Sequence, residues 1–446
     1  MTKIQLILSP MDSAQTTTEN GWWQPLGILS LATYVRKHRP DVEIEILNGD
    51  IISLDEILGR LDADFVGIQP SIVSYENALV IAHKAKSNGS TTILGGHHVS
   101  PLANNIINNQ RGVVDFVIKH EGEEGLLALL DSEDPKRIPN LVFWDEGQVG
   151  RGTKLAQERS LDEIPFPDFS FIDLEPYFKN YQRRYPDSRF NRPITLYSQR
   201  GCTWREDTGG CLFCARMDHV WKGRDPQSVV DYVFKLKELG ADLIVDSSDD
   251  FMTNEGWFNA FYDLMPKRRV SFRIYLRPDK IRPETAKQLY DLGVEYVFLG
   301  IESGDEGCLR QCRKGMHPSD HINAFRYLSE YGIKICPAFV FGFPGESEAT
   351  IRTTIRHAER IAAFDNVETA YASQFTPLPG SPGFEMLLQQ PGMGHKYAKE
   401  DRISMSGIQQ DWLGTYCRKI TKDDIIAAQQ AIARIFPSST NEYRSK

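Results

Sequence analysis

The chain has 446 residues, 41% of them hydrophobic, 11% aromatic and 25% charged, with a formal net charge of −9. That length holds two or three domains with cores of their own, and the balance is ordinary for a water-soluble globular protein. Negative charge with no basic stretch to offset it excludes a nucleic-acid binder held by phosphate contacts, and no apolar run reaches the roughly 18 residues of a membrane span.

The opening Met-Thr-Lys-Ile-Gln-Leu-Ile-Leu-Ser-Pro is too short in its apolar part for an export signal and runs into a strand pattern. Seven cysteines, an odd number, fit thiols kept reduced as ligands and point to the cytoplasm. Over residues 1–125 strand patterns at Lys3–Leu8, Val42–Leu47, Phe65–Gln69, Thr92–Leu94 and Phe116–Lys119 alternate with helix patterns at Pro25–Lys37, Leu54–Leu61, Tyr75–Ser87 and Pro101–Asn108. This alternation predicts an α/β, doubly wound, Rossmann-like domain over 1–130, with its ligand beyond the carboxyl ends of the strands. Residues 131–193 read as a linker, with a short hairpin strand at Asn140–Trp144 and a wrapped stretch from Ile164-Pro-Phe-Pro-Asp168 to Arg192. Six further strands are expected at Ile194–Ser198, Leu243–Asp246, Ser271–Leu276, Tyr296–Gly300, Ile335–Phe341 and Glu368–Gln374. Six βα units over 194–385 predict a partial TIM-type (β/α)6 barrel with its functional groups on the loops after the strands. A small, mainly helical region over 386–446 closes the chain, with a helix at Lys422–Ile435 and a frayed polar tail at Ser438–Lys446.

Directly after the first barrel strand comes Arg200-Gly-Cys-Thr-Trp-Arg-Glu-Asp-Thr-Gly-Gly-Cys-Leu-Phe-Cys214. A C-x-x-C turn aims two thiolates at one metal centre, and a Gly-rich loop can fold the third onto the same point. Three thiolates leave one iron of a 4Fe–4S cluster open for chemistry. Two other readings stand beside this one: a Cys3His zinc site completed by His219, and buried thiols without a metal.

The ordered strand-end motifs resemble those of the radical S-adenosylmethionine (SAM) enzymes that carry an N-terminal cobalamin-binding domain. The resemblance covers residues 1–385 and implies that Cys202, Cys211 and Cys214 bind a 4Fe–4S cluster whose open iron SAM chelates. The spacing departs from the family's C-x3-C-x2-C, since eight residues, Thr203–Gly210, separate the first two thiols; Gly209-Gly210 would let this loop close. Phe213 matches an aromatic near the SAM adenine. Ser247, Ser248 and Asp249, in Asp246-Ser-Ser-Asp-Asp250, match polar groups that hold the SAM amino group, which suits an ammonium ion. Arg277 would pair with the SAM carboxylate. Glu302 and Ser303, in Gly300-Ile-Glu-Ser-Gly304 ahead of Lys314-Gly315, match a motif contacting the SAM ribose and carboxylate. Phe341-Gly-Phe-Pro-Gly345 and Thr376-Pro-Leu-Pro-Gly-Ser-Pro382 match the turns after the last two strands.

The N-terminal domain lacks G-x-G-x-x-G and a P-loop, which weakens a nucleotide reading. Its resemblance to the cobalamin-binding domain rests on Trp22-Trp-Gln-Pro-Leu-Gly27, Gln69-Pro-Ser-Ile-Val-Ser-Tyr75, Gly95-Gly-His-His-Val-Ser100 and His120-Glu-Gly-Glu123. It implies cobalamin contacts from Trp23, Gln24, Leu26, Gly27, Ser71, Ser74, Tyr75, Gly95, Gly96, His97, Glu121 and Gly122. Small and hydroxyl residues at strand ends allow a large flat ligand and its phosphate tail to approach closely. The D-x-H-x-x-G signature is absent, its place taken by Leu47-Asn-Gly-Asp-Ile51, so no histidine from that motif is expected on cobalt. His97 and His98 read as hydrogen-bonding groups of a Gly loop.

Cys308 and Cys312, four apart, share a helix face as buried thiols. Cys336 reads as core, and Cys417 carries no motif. By resemblance the function is a cobalamin-dependent radical SAM methyltransferase, in which the cluster cleaves SAM reductively and methylcobalamin methylates an unactivated carbon of a small-molecule or natural-product substrate. A radical SAM cyclase, ring-contraction or rearrangement enzyme with auxiliary cobalamin is the alternative, and a non-catalytic metal-binding protein the third. The partners implied are the substrate and an electron donor such as flavodoxin or ferredoxin, with no nucleic acid or membrane. Trp204, Trp221, Tyr371, Gln374 and Trp412 are aromatic or polar candidates for a pocket or for packing, and no motif names the substrate.

Overall fold

The structure, a computed structural model, describes residues 2–12, 21–153 and 160–437. The expected tail Ser438–Lys446 lies outside the described residues.

Contacts divide the chain into two units. The first takes residues up to Thr195 together with Ala215–Met217 and Gly392–Met405, and the second takes the remainder. The first unit holds β1 (Lys3–Leu8), α1 (Leu26–His38), β2 (Glu43–Asn48), α2 (Leu54–Arg60), β3 (Phe65–Gln69), α3 (Tyr75–Ser87), β4 (Thr91–Gly95), α4 (Ala103–Asn109), β5 (Phe116–Ile118), α5 (Glu123–Leu130), β6 (Leu141–Asp145), β7 (Gln148–Arg151) and α6 (Glu175–Arg184). Its seven strands run in the order β2-β1-β3-β4-β5-β6-β7, parallel from β2 to β5 and antiparallel through β6 and β7. In this order the reversal falls between β1 and β3, where an open α/β sheet leaves a crevice at the strands' carboxyl ends. Strand β1 is apolar nearly throughout because helices cover both faces, and α1 turns Ile28, Leu29, Ala32 and Val35 inward, each at most 1% exposed.

Residues 131–193 do not stand apart as a linker. The β6–β7 hairpin pairs with β5 and extends the first sheet, because Leu141, Val142 and Phe143 bury their side chains there.

In the second unit β8 (Pro193–Leu196, which starts the run), β11 (Leu243–Asp246), β12 (Phe272–Leu276), β13 (Val294–Glu302), β14 (Lys334–Phe341) and β15 (Tyr371–Gln374) form a six-stranded sheet in strict chain order. The pairings from β11 to β15 are parallel, the arrangement of a partial barrel. Between β8 and β11 lie the two-residue strands β9 (Gln199–Arg200) and β10 (Lys222–Gly223), which pair antiparallel, with α7 (Thr203–Thr208) between them and α8 (Pro226–Glu238) following. The helices α9 (Glu255–Leu264), α10 (Pro283–Leu292), α11 (Glu306–Gln311), α12 (Pro318–Ser329) and α13 (Glu348–Ile361) connect the later strands. The chain ends in α14 (Pro382–Leu388), α15 (Met393–Tyr397), α16 (Met405–Tyr416) and α17 (Lys422–Ile435). The helix starts carry their own stops: Asp225 caps α8, Asn254 caps α9 and Ser347 caps α13, each accepting a backbone N–H of the first turn.

Every expected strand is present, several with shifted ends. β13 runs two residues further in each direction than its apolar core because it is paired on both sides, whereas the edge strand β15 begins only at Tyr371. Within the C-terminal region, residues 392–405 cluster with the first unit. There Asp401 accepts hydrogen bonds from Tyr75 Oη at 2.9 Å, Asn109 Nδ2 at 2.8 Å and Gln110 Nε2 at 2.7 Å.

Candidate functional site

The eight-residue gap after Cys202 folds as a helical turn. Cys202 is the N-cap of α7, and the turn ends at Gly209 and Gly210, with φ of 82° and 89°. Both angles lie in the left-handed region that a side chain resists, so two successive glycines allow the chain to reverse into Cys211. Arg205, buried inside the loop, joins its two ends: its backbone N–H bonds to Cys202 O at 3.0 Å and its Nη1 to Cys214 O at 2.9 Å. The Cys211–Cys214 turn closes with its own 3.0 Å bond from Cys214 N to Cys211 O. It is pinned from outside at Leu212, whose N–H donates to Cys312 O at 2.9 Å and whose O accepts from Gly383 N at 2.8 Å.

All three cysteines are half-buried free thiols. Burial pushes the Cys211 thiol up to about 11, against the pull of Lys314 and Arg277. Burial also raises Cys202, with the Asp250 charge adding to it and a hydrogen bond from Thr253 opposing. Their side chains are not gathered at one point: among the described residues no three His, Cys, Asp or Glu side chains form a group that could hold a metal ion. What the fold supplies is one stitched loop at the carboxyl end of β8 that carries all three. His219 stands exposed.

Around this loop the ends of β11 to β13 bring charged groups. Arg277, 6% exposed, donates from Nε and Nη2 to Asp279 at 3.1 and 3.2 Å and from Nη2 to Lys314 O at 2.6 Å. Its guanidinium lies 4.6 Å from the Trp204 ring centroid, and Trp204 Nε1 donates to Arg313 O at 2.9 Å. β13 bulges between Gly300 and Glu302, and Glu302 takes a φ of 60°. The bulge delivers the Glu302 carboxylate to Lys314, whose ammonium also donates to Gly300 O at 2.9 Å. Burial works against the Lys314 charge, but Glu302 and Cys211 together offset it and hold the ammonium above its usual range.

Phe213 lies 6.0 Å from Lys314 Nζ. Ser247 continues the β8 pairing through its N–H to Leu196 O at 2.8 Å. Asp249 is half-buried. Ser248 and Ser303 are spent on bracing. Ser248 Oγ bonds to Asp246 at 2.6 Å and meets Ser198 Oγ at 3.2 Å, and Ser303 Oγ meets Thr354 Oγ1 at 2.9 Å.

Asp250 was quoted within its motif but not singled out from sequence. It is 1% exposed, Oδ2 has no hydrogen-bond partner among the described residues, and burial raises its carboxyl to about 6 against the pull of Arg277. Lys314 was quoted from sequence only within the Lys314-Gly315 pair after the Glu-Ser motif, and Asp279 and Thr253 were not noticed.

Gly315 has a φ of 67°, and a Cβ there would fall 2.1 Å from the Trp204 ring. Gly315→Ala is therefore expected to cost about 2 kcal/mol or more through overpacking and left-handed strain. Urea denaturation checks this, and an unchanged midpoint would contradict the tight fit.

In the first unit the small residues converge on Gln69, at the end of β3. A Cβ on Gly27 would sit 3.1 Å from Gln69 Oε1, and one on Gly96 3.0 Å from its Cγ. Gln69, unremarked among the sequence candidates, thus lies between the two glycines and forms a cradle with them. Ser71 N donates to Ser74 Oγ at 2.8 Å, and the Ser74 carbonyl accepts from Ser9 Oγ at 2.9 Å. Trp23 packs 5.8 Å from Tyr181, Leu26 is half-buried at the start of α1, and Gly122 lies against Leu31. Gly95 and Glu121 are half-buried at strand ends. Gln24 is buried and its amide is fully engaged, donating to Pro193 O at 3.1 Å and accepting from Thr195 N and Oγ1 at 2.9 Å. His97 is exposed, with Nε2 3.3 Å from Arg216 Nη1. His98 packs edge-on to Tyr75, its Nε2 is buried without a hydrogen-bond partner among the described residues, and burial lowers its imidazole to about 4. In the Leu47–Ile51 stretch, Asn48 donates to Tyr177 Oη at 2.7 Å.

Cys308 and Cys312 are buried thiols around α11. Cys308 Sγ lies 3.8 Å from Glu346 Oε1 and is pushed up to about 12 by burial, while Cys312 Sγ bonds to Leu309 O at 3.2 Å. Cys336 is buried in β14. Cys417 Sγ bonds to the carbonyls of Gly342 and Phe343, each at 3.2 Å. Trp412 is fully buried, stacked on Phe375 with centroids 4.5 Å apart, which makes it packing. No helix among the described residues is long and apolar enough to cross a membrane.

Comparison with known proteins identifies both units. Residues 16–130 match the B12 binding domain family, and residues 196–358 match the radical SAM superfamily. An uncharacterized methyltransferase of Pyrococcus horikoshii is 25% identical over 397 residues, covering 85% of this chain and 82% of that protein. The anaerobic magnesium-protoporphyrin IX monomethyl ester cyclase of Cereibacter sphaeroides is 26% identical over 397 residues, covering 83% of this chain and 61% of that protein. Among solved structures, the radical SAM methyltransferase TsrM of Kitasatospora setae, with cobalamin and a 4Fe–4S cluster bound, superposes with a TM-score of 0.67. That likeness is at 18% identity, covers 88% of this chain and 80% of that one, and speaks to the fold. A B12-binding domain followed by a radical SAM domain, each on its own sheet, makes this chain a member of the cobalamin-binding radical SAM enzymes.

Proposed function

We propose that this enzyme is a cobalamin-dependent radical SAM methyltransferase that places a methyl group on an unactivated carbon of a small-molecule substrate. The observation that carries the reading is the stitched cysteine loop at the end of β8, with Arg277, Asp250 and the Lys314–Glu302 pair at the following strand ends, preceded in the chain by a B12-binding domain.

The residues present fit the groups they would hold. Cys202, Cys211 and Cys214, three thiols carried on one stitched loop, would ligate three irons of a 4Fe–4S cluster. Arg277, with Nη1 making no hydrogen bond among the described residues, would pair with the SAM carboxylate. Asp249, Ser247 and Glu302 would receive the polar end of SAM, with Phe213 beside its adenine. Ser248 and Ser303 would hold these loops in place, and the orphaned Asp250 oxygen marks one more acceptor beside Cys202. The Gly27–Gln69–Gly96 cradle, with Trp23, Leu26, Ser71, Ser74, Tyr75, Gly95, His97, Glu121 and Gly122 around it, would take the corrin and its tail, with Gln24 fixing the loop in front. We take the B12-binding domain as 1–130 and the barrel as 194–385. When bound, the cluster supplies an electron for cleaving SAM and cobalamin carries the methyl group; the protein's own part is to hold, orient and keep water out. The electron would come from a small donor such as flavodoxin or ferredoxin. Seven free thiols suit the reducing cytoplasm.

The cyclase relative favours a second reading, in which the same architecture rearranges or cyclises its substrate. SAM labelled in its methyl group separates the two. A product heavier by one methylene and carrying the label is expected; an unlabelled isomer or cyclised product would replace methylation with the second reading.

A further inference from the structure

We propose that the Thr253 hydroxyl is a positioning group for Cys202, donating its single proton to the cysteine sulfur and thereby setting the electron density of that ligand. The inference rests on Cys202 being a cluster ligand. Thr253 is 5% exposed and lies in the loop after β11, bonded through its N–H to Asp250 O at 3.1 Å. Two threonines lock the cysteine loop to this loop. Thr203 N donates to Thr253 Oγ1 at 2.9 Å, and Thr203 Oγ1 lies 2.9 Å from both Thr253 O and Thr253 Oγ1. Thr253 Oγ1 lies 3.6 Å from Cys202 Sγ.

Proton accounting sets the direction. Each hydroxyl has one proton. The Thr253 carbonyl can only accept, so it takes the Thr203 proton. That leaves the Thr253 proton a choice between a neutral hydroxyl oxygen and a sulfur that becomes a thiolate on binding iron, and the charged acceptor makes the stronger bond. Hydrogen bonds to cluster sulfurs are among the determinants of reduction potential. A donor at the sulfur favours the reduced, more negative cluster, so its removal drives the potential down.

The test compares anaerobically reconstituted full-length wild type, Thr253→Val and Thr253→Ser, with iron and sulfide counted and the midpoint potential followed by EPR-monitored titration. The valine variant is expected to fall by about 59 mV, a tenfold change in the reduced-to-oxidised ratio for one electron, while the serine variant stays with wild type. Iron lost in the valine variant and retained in the serine variant supports the same placement. If Thr253→Val does not fold, Thr253→Ala removes the hydroxyl without a misfitting branch and is read the same way. An unchanged potential without the hydroxyl, or an equal shift in the serine variant, overturns the proposal. Wild type without iron and sulfide would instead overturn the cluster assignment on which it rests.

Discussion

Cys211→Ala and Cys214→Ala are each expected to strip iron from the reconstituted protein and to lower formation of 5′-deoxyadenosine from SAM by more than about 100-fold. That figure is the upper end of what substitutions merely next to a metal ligand cost, and a ligand itself costs more. Little of the loss should come from unfolding. Both thiols are half-buried, and the turn between them is held by backbone bonds that alanine keeps: Cys214 N to Cys211 O, Leu212 N to Cys312 O and Gly383 N to Leu212 O. Thermal unfolding of the apo-variants should therefore track wild type. Cys308→Ala is the control, since its sulfur faces Glu346 and should leave iron content unchanged. Full SAM cleavage by either loop variant would overturn the cluster assignment, and a stoichiometric zinc atom without iron in wild type would replace it.

The sequence was legible where pattern and chemistry coincide. Parallel strands buried on both faces read as short apolar runs, so β1, β3 and β11 appear with their exact bounds and the strand order follows from simple alternation. The cysteine loop drew notice through residue types that tolerate few other uses, three cysteines and paired glycines above all. The misses have physical causes. Thr203–Thr208 carries no apolar period, and its helix exists because Cys202, Arg205 and the left-handed Gly209 close it. Whether a polar side chain points at a ligand or at its own scaffold depends on contacts remote in sequence. Gln24, expected from the resemblance to contact cobalamin, bonds to Thr195, 171 positions away; Asp250, quoted within its motif but not singled out, keeps a buried oxygen without a hydrogen-bond partner among the described residues. The hairpin strand expected at Asn140–Trp144 is there as β6, and its pairing with β5 is a contact that the 131–193 stretch alone does not show.

Lys314 gives the second large effect. Its ammonium is 6% exposed, the Glu302 carboxylate it meets is 5% exposed, and the bulge in β13 aims one at the other. Removing one partner of such a pair leaves an uncompensated charge inside the protein, so Lys314→Met is expected to destabilise by about 3–5 kcal/mol. The double variant Lys314→Met/Glu302→Gln removes both charges and should recover most of that loss, because the Coulomb gain of a buried pair is largely offset by desolvation. Denaturant titration of the four proteins in the cycle measures the coupling. A single variant as stable as wild type would show that Glu302 finds water or another cation. The functional consequence separates from the stability one in the double variant. There the fold is restored, yet the positive charge that draws on Cys211 and sits near Phe213 is gone. SAM affinity should therefore stay low in the double variant while its unfolding midpoint returns toward wild type. Recovery of both together would assign the pair to the scaffold alone.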